Sequence, residues 1–199
     1  MAPDRLEQQI RFILEIDALK GVLRRSYVLA GDRPENSAEH SWHVAVMAVL
    51  LAEHANEPVD TSRGVRMLLV HDIVEVDAGD TYVYDATGSA GKAEREKRAA
   101  DRLFGLLPED QGREFRALWE ELETGRTAEA RFAGALDRLT PVLHNAHTAG
   151  RSWREHGITA DRVIARNSAI SKGSMALWEY ARSLIEGAVA KGHLAPAGT

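Results

Sequence analysis

Ser37-Ala38-Glu39-His40-Ser41-Trp42-His43-Val44-Ala45-Val46-Met47-Ala48-Val49-Leu50-Leu51-Ala52 is the stretch that decides the fold. Ser37 is a residue type that caps helix starts, and everything from Val44 to Ala52 is apolar. The spacing predicts a helix from about Ser37 to Asn56 that is apolar on most of its circumference. Such a helix is buried on several sides, so it is expected at the centre of a helical assembly. Its apolar run is far short of the ~20 residues that cross a bilayer.

The flanks read the same way. Upstream, Leu6, Ile10, Ile13, Leu14, Ile16 and Leu19 recur at three-to-four-residue steps, which predicts an amphipathic helix over 4–20. Residues 22–36 are less regular and hold the turn signal Gly31-Asp32-Arg33-Pro34. Downstream, Glu57-Pro58 stops the central helix. Asp60 or Thr61 caps a second apolar helix to about Val76. An acidic, Tyr-containing loop over 77–91 follows, a length that is uncommon in compact domains unless it is functional. Helices are then expected over 92–107 and 109–124. Another starts after Thr127, with a kink or break at Pro141, and a last long one runs over 159–191 and ends at Gly192. No stretch shows convincing strand alternation. The fold class is therefore all-α, a helical bundle of one domain over 1–199, with the chemistry concentrated in a core over about 37–140.

Composition sets limits. A chain of 199 residues is long enough for a core of its own. It has no Cys, which excludes a disulfide scaffold, a Cys-ligated zinc site and thiol catalysis, and fits a reducing cytoplasmic compartment. Met1-Ala2-Pro3-Asp4-Arg5-Leu6-Glu7 carries charge where a signal peptide needs an apolar core. The net charge of −5 gives no sign of a nucleic-acid polymer as partner, and no membrane association is expected.

Three places hold side chains suited to metal chemistry. His40 opens the central helix. His71-Asp72 lies at the end of the next apolar helix, just before the acidic loop. Asp137 sits within Ala135-Leu136-Asp137-Arg138-Leu139, an acid in an otherwise apolar pattern that needs a cation or several donors beside it.

The order His, His-Asp, Asp on three helices resembles the HD-domain metal-dependent phosphohydrolase superfamily, and within it the branch of the bacterial 5′-deoxynucleotidase and its eukaryotic HD-domain relatives. The matching pieces are Arg33-Pro34-Glu35-Asn36-Ser37-Ala38-Glu39-His40-Ser41, His71-Asp72-Ile73-Val74-Glu75, Gly79-Asp80, Lys92-Ala93-Glu94-Arg95-Glu96 and Leu136-Asp137-Arg138-Leu139. The resemblance implies a single HD domain and four metal ligands, His40, His71, Asp72 and Asp137. They would hold one divalent transition ion per chain: Mn²⁺, Co²⁺, Fe²⁺, Ni²⁺ or Zn²⁺. Two imidazoles and two carboxylates suit such an ion.

It further implies that Glu75 orients water, that Asp80 assists as general base or acid, and that Arg25, fifteen residues before His40, binds the substrate phosphate. Arg24 is adjacent, and a small shift in this irregular stretch exchanges the two. The deoxynucleotidase has a Trp directly after that Arg, where this chain has Ser26 and then Tyr27, so preference for deoxyribose is left open. His43, one turn after His40, reads as a core His or one beside the ligands rather than a fifth ligand; His144 and His147, three residues apart, have the spacing for half of a second metal site but read rather as pocket or surface residues.

The implied function is a phosphomonoesterase that releases inorganic phosphate from a small-molecule phosphate substrate, a nucleoside 5′-monophosphate. The competing readings are a triphosphohydrolase or phosphodiesterase on the same site, a dinuclear-iron oxygenase that recruits further His, and a non-catalytic nucleotide-binding module. A homodimer is expected, both from the resemblance and from the apolar surface of the last helix, with Met175, Leu177, Trp178, Tyr180, Leu184 and Ile185.

Overall fold

The computed structural model describes residues 4–85, 88 and 90–198. Met1 to Pro3 of the charged N-terminal stretch, and Ala86, Thr87 and Ser89 of the long loop, lie outside the described residues. Among the described residues the fold is all-α apart from one small hairpin and an isolated bridge between Thr159 and Ala195.

Helix α1 (Arg5–Ile16) ends in a tight 3₁₀ turn (Asp17–Gly21). Its apolar face points outward: Leu6, Ile10, Ile13 and Leu14 are exposed and Phe12 is the buried side chain. Two fastenings hold it to a later helix, an Arg5–Asp110 pair at 2.8 Å and a Gln9–Gln111 amide bond at 2.7 Å.

Where no strand was expected, β1 (Leu23–Tyr27) and β2 (Pro34–Asn36) pair antiparallel, Leu23 opposite Asn36 and Tyr27 opposite Pro34. The alternation is present, but its inward-facing residues are Arg24 and Ser26 rather than apolar ones. A hydrophobicity pattern is blind to a strand that lines a polar site.

Helix α2 (Ser37–Leu51) starts one residue earlier in its capping than expected. Asn36, not Ser37, is the cap: its side chain accepts from the Glu39 amide at 2.9 Å, and Glu39 Oε1 accepts from the Asn36 amide at 2.7 Å. Helix α3 (Thr61–Val70) is capped by Asp60. It then tightens into a 3₁₀ turn at His71–Val74 and resumes as α4 (Glu75–Ala78), which ends at Gly79 with φ +71°. Helices α5 (Lys92–Phe104), α6 (Glu109–Thr124) and α7 (Ala128–His147) follow, α7 capped by the Thr127 hydroxyl. Helix α7 runs through Pro141 instead of breaking there.

The expected long last helix is three pieces after the short α8 (Arg151–Glu155): α9 (Ala160–Asn167), α10 (Ile170–Gly173) and α11 (Met175–Ala190). Ser174 makes the second break. Its backbone is extended, its hydroxyl donates to the His54 carbonyl at 2.6 Å, and it accepts from the Leu177 amide at 3.1 Å.

Two apolar clusters hold these elements. One gathers Val44, Leu136, Leu139, Ile170 and Ile185 from α2, α7, α10 and α11. The other gathers Met67, Val74, Leu103 and Phe104 from α3 to α5. Both α3 and α7 contribute to each cluster and so fix one against the other. The last helix is less exposed than its sequence suggested: Leu177 and Ile185 are core, while Met175 and Tyr180 face outward.

Gly173 marks the closest approach of α10 to α7. A Cβ there would lie 2.2 Å from the Arg131 carbonyl oxygen, whereas one at Gly187 in α11 would meet nothing within 4 Å. Gly173→Ala is expected to destabilise by about 2 kcal/mol or more through overpacking against backbone. Gly187→Ala is expected to stabilise by up to ~1 kcal/mol through helix propensity. Urea melts of both variants check the pair, and equal midpoints contradict the packing described.

Candidate metal centre and the cleft beside it

The four sequence-predicted ligands come from three elements and converge. The imidazole Nε2–H of His40, in the first turn of α2, donates to Asp137 Oδ1 on α7 at 3.0 Å. His71 Nε2, in the 3₁₀ turn, lies 3.0 Å from Asp72 Oδ1 and 3.8 Å from Asp137 Oδ1. Donor atoms of His40, His71 and Asp72 all lie within 4.8 Å of one another, and all three residues are buried. His71 Nδ1–H donates to the Leu68 carbonyl at 2.7 Å, which turns Nε2 toward the acids. That nitrogen is buried and makes no aligned hydrogen bond. A ring nitrogen tied to a carbonyl, with the other aimed unpaired at two carboxylates, is the arrangement a metal-ligating His requires. The donor set therefore fits a divalent ion.

Charge is crowded here. Arg24 reaches in from β1: Nη1 donates to Asp72 Oδ2 at 3.0 Å, Nε lies 3.5 Å from Glu35 Oε2, and Asp80 and Asp137 are each 4.0 Å away. Burial pushes the guanidinium down, but Asp72, Asp137, Asp80 and Glu75 outweigh it and hold the charge more firmly than usual. Arg24 is thus the inward residue of the pair. Arg25 also lines the cleft but is exposed.

The acids split in two directions. Burial would raise Asp72, but His71 and Arg24 hold it down at about 2. Burial likewise opposes the lowering of Asp137, yet His40 and His71 hold it well below the usual range. Glu75 goes the other way: burial and the neighbouring Asp72 carboxylate push it up to about 8. Glu75 Oε2 accepts from the Ser37 hydroxyl at 2.6 Å. Asp80 is raised as well, chiefly by burial.

A cleft of about 280 Å³ opens beside these groups, at the small end of small-ligand sites. Its near wall carries His71, Asp72, Glu75, Asp80 and Asp137. Its far wall carries Tyr82, Tyr84, Asn145, Trp153, Arg166 and Asn167. Ser26 lines it and Tyr27 does not. The Tyr27 hydroxyl donates to Glu155 Oε2 at 2.8 Å, and Arg151 stacks 3.7 Å from its ring centre.

Arg95 braces the long loop by donating to the Gly88 and Ala90 carbonyls, and Lys92 lines the cleft, paired with Glu96 at 3.2 Å. His54, His147 and His156 are exposed, and His156 packs against the Tyr82 ring.

Glu35 was quoted within a motif but given no role. It is buried beside His40, His43 and His144. The signal was its place in β2, two residues before Ser37, where only a strand reading turns it inward.

The HD-domain family model matches residues 16–178, and the chain belongs to this family. Among solved structures, a crystal structure titled as a predicted metal-dependent phosphohydrolase from Magnetospirillum magnetotacticum MS-1 is 53% identical. It superposes with a TM-score of 0.93 over 98% of this chain and 100% of that one. Among curated proteins, 5′-deoxynucleotidase HDDC2 of Homo sapiens is 36% identical over 135 residues, 67% of this chain and 65% of that protein. The Bos taurus protein of the same name is 38% identical over 136 residues, 67% of this chain and 64% of that protein. The match thus spans slightly less than two thirds of these curated relatives.

Burial alone would lower both His40 and His71, but the surrounding carboxylates raise them, His71 well above its ordinary value. A protonated imidazole cannot ligate, so an ion must displace those protons. Divalent-ion affinity is therefore expected to fall as pH falls from 8 to 6, by up to about tenfold per pH unit for each proton displaced. Calorimetric titration with Mn²⁺ across that range checks it, and a pH-independent affinity contradicts the ligand set.

Proposed function

We propose that this protein is a metal-dependent phosphomonoesterase that hydrolyses a nucleoside 5′-monophosphate, with a deoxynucleotide as the first candidate, to nucleoside and inorganic phosphate. The observation that carries the reading is the convergence of His40, His71, Asp72 and Asp137, with His71, Asp72 and Asp137 at the wall of a cleft that Glu75, Asp80, Arg24 and Arg25 also line and His40 buried behind them. The names of the HDDC2 relatives support the substrate class.

One divalent transition ion, held by those four residues, supplies Lewis acidity to the phosphoryl group and to water. Glu75, pushed to about 8 and oriented by Ser37, is poised to hold or release a proton near neutral pH. Asp80 assists it from the loop. Arg24 and Arg25 supply guanidinium donors for phosphate, Arg24 from within and Arg25 from the exposed rim. The aromatic and amide side chains of the far wall suit a nucleoside. Ser26 leaves space beside the sugar that a larger residue would fill, so the ratio of deoxy to ribo turnover reads out what this position does.

The whole chain acts as one domain, in the cytoplasm in keeping with its lack of Cys. Among the described residues no helix is long and apolar enough to cross a membrane. Homodimerisation is supported by Trp42, Val46, Val49 and Leu50, exposed at helical spacing along one side of α2. Sedimentation is expected to give a dimer at micromolar concentration and Leu50→Glu a monomer. A monomeric wild type removes the idea.

The activity test strips the protein with chelator, reloads it with each candidate ion and measures phosphate release from deoxy- and ribonucleoside monophosphates. Release is expected to need the ion and to vanish in Asp72→Ala and Asp137→Ala. Glu75→Gln is expected to lower kcat by about 10²–10⁴. Arg25→Ala is expected to raise KM more than it lowers kcat, by roughly tenfold for one lost charge-assisted contact. No phosphate from any monophosphate, with pyrophosphate or triphosphate released from a nucleoside triphosphate instead, would assign the site to a different hydrolysis.

A further inference from the structure

A second group of metal-type donors lies next to the first, and the proposed reaction does not use it. Glu35 stands at the middle of β2, His43 one turn after His40 on α2, and His144 two turns after Asp137 on α7. The same two helices that carry His40 and Asp137 therefore carry two of its three members. None of its three members lines the cleft.

The geometry is that of a ligand set. One donor atom from each of Glu35, His43 and His144 falls within a sphere where all lie within 4.8 Å of one another. Glu35 Oε1 is 3.9 Å from His144 Nδ1, too far for a hydrogen bond. The rings of His43 and His144 lie nearly parallel and stacked, with centres 5.8 Å apart. An ion bound at about 2.1 Å wants donors nearer 3.4 Å apart, a contraction that side-chain rotation supplies.

The polar atoms here are also short of hydrogen bonds. Glu35 is 2% exposed and His144 4% exposed, and neither Glu35 Oε2, whose charged neighbours are Arg24 Nε at 3.5 Å and His40 Nδ1 at 3.3 Å, nor His144 Nδ1 makes an aligned hydrogen bond. His40 Nδ1 lies 3.3 Å from Glu35 Oε2 without hydrogen-bond alignment and is also unpaired. A buried carboxylate and a buried imidazole left in this condition are costly unless something else satisfies them. His43 is only half-buried and gives an entry route from solvent.

We infer that Glu35, His43 and His144 form a second divalent-metal site, separate from the cleft. Two imidazoles and one carboxylate are a donor set for Zn²⁺ or Co²⁺ with at least one position left for water. The site sits on the far nitrogen of His40: Glu35 can turn one oxygen toward His40 Nδ1 and offer the other to the ion. It therefore braces the hairpin that carries Arg24 and Glu35 against α2 and α7.

The test is metal stoichiometry, read independently of turnover. Full-length protein is stripped, dialysed against Co²⁺ or Zn²⁺, freed of loose ion and analysed by mass spectrometry of the metal, with the Co²⁺ absorption spectrum as a second readout. Wild type is expected to hold two ions per chain. His43→Ala, a change at a half-exposed position, is expected to hold one and to lose the absorption component of the second Co²⁺. His144→Ala is expected to do the same, and Asp137→Ala to keep the second ion while losing the first.

Wild type that retains a single ion, with His43→Ala unchanged from it, overturns the site. So does a two-ion wild type whose count survives both His43→Ala and His144→Ala. If instead Asp137→Ala alone leaves the count untouched, the failure belongs to the first centre and not to this one.

Discussion

Everything around the cleft depends on one balance of buried charge. Glu35, Asp72, Glu75, Asp80 and Asp137 are brought together inside a helical assembly, and the cations that face them are Arg24, His40 and His71. Removing each ion from water costs several kcal/mol even after relaxation, so such a group persists only if its geometry is tightly fixed. Arg24 does most of the fixing, because one guanidinium touches the hairpin, the 3₁₀ turn, the loop and α7. The balance still falls on the negative side. Glu75 at about 8 registers the surplus: its proton stays on because Asp72 is beside it and water is not. A dication is the charge that such a site lacks.

The change of helical pitch at His71–Val74 belongs to the same balance. In an α-helix, residues three apart are offset around the axis, whereas in a 3₁₀ turn they eclipse. The turn carries Asp72 and runs directly into Glu75, and the Asp72 carboxylate adds to burial in raising Glu75. Ser37, the first residue of α2, then anchors Glu75 by its hydroxyl, while Asn36 takes over the capping that Ser37 was expected to perform. Local capping chemistry and the site are thus coupled through one residue of difference.

The sequence carried the skeleton well where apolar periodicity governs. The central helix, the second apolar helix, the two outer helices and the helix carrying Asp137 start where expected, while the central helix ends at Leu51 rather than Asn56 and the second at Val70 rather than Val76. The convergence of His40, His71, Asp72 and Asp137 was legible because the resemblance supplied an order of residues that propensity cannot. What was illegible has a common cause: these features are polar and inward, or apolar and outward. The β1–β2 hairpin turns Arg24 and Ser26 inward and so showed no strand signal. Glu35 lies in a three-residue strand. Helix α1 has a regular apolar stripe that faces solvent. The second break in the last helix depends on Ser174 reaching His54, 120 residues earlier in the chain, a contact no local pattern records.

Pro141 shows why the two clusters of donors are held in register. It lies four residues after Asp137 and has no N–H, so the Asp137 carbonyl loses its helix donor. Local chemistry favours a break there, and the structure has none. Leu136, Leu139 and Val142 are buried against the larger apolar cluster on either side of the proline, and the Thr140 hydroxyl donates to the Leu136 carbonyl at 3.0 Å. Packing thus carries the helix across the gap. A kink would separate Asp137 from His144 by a hinge. A continuous α7 sets both from one rigid element, as α2 sets His40 and His43, so any displacement of these helices moves the two clusters together.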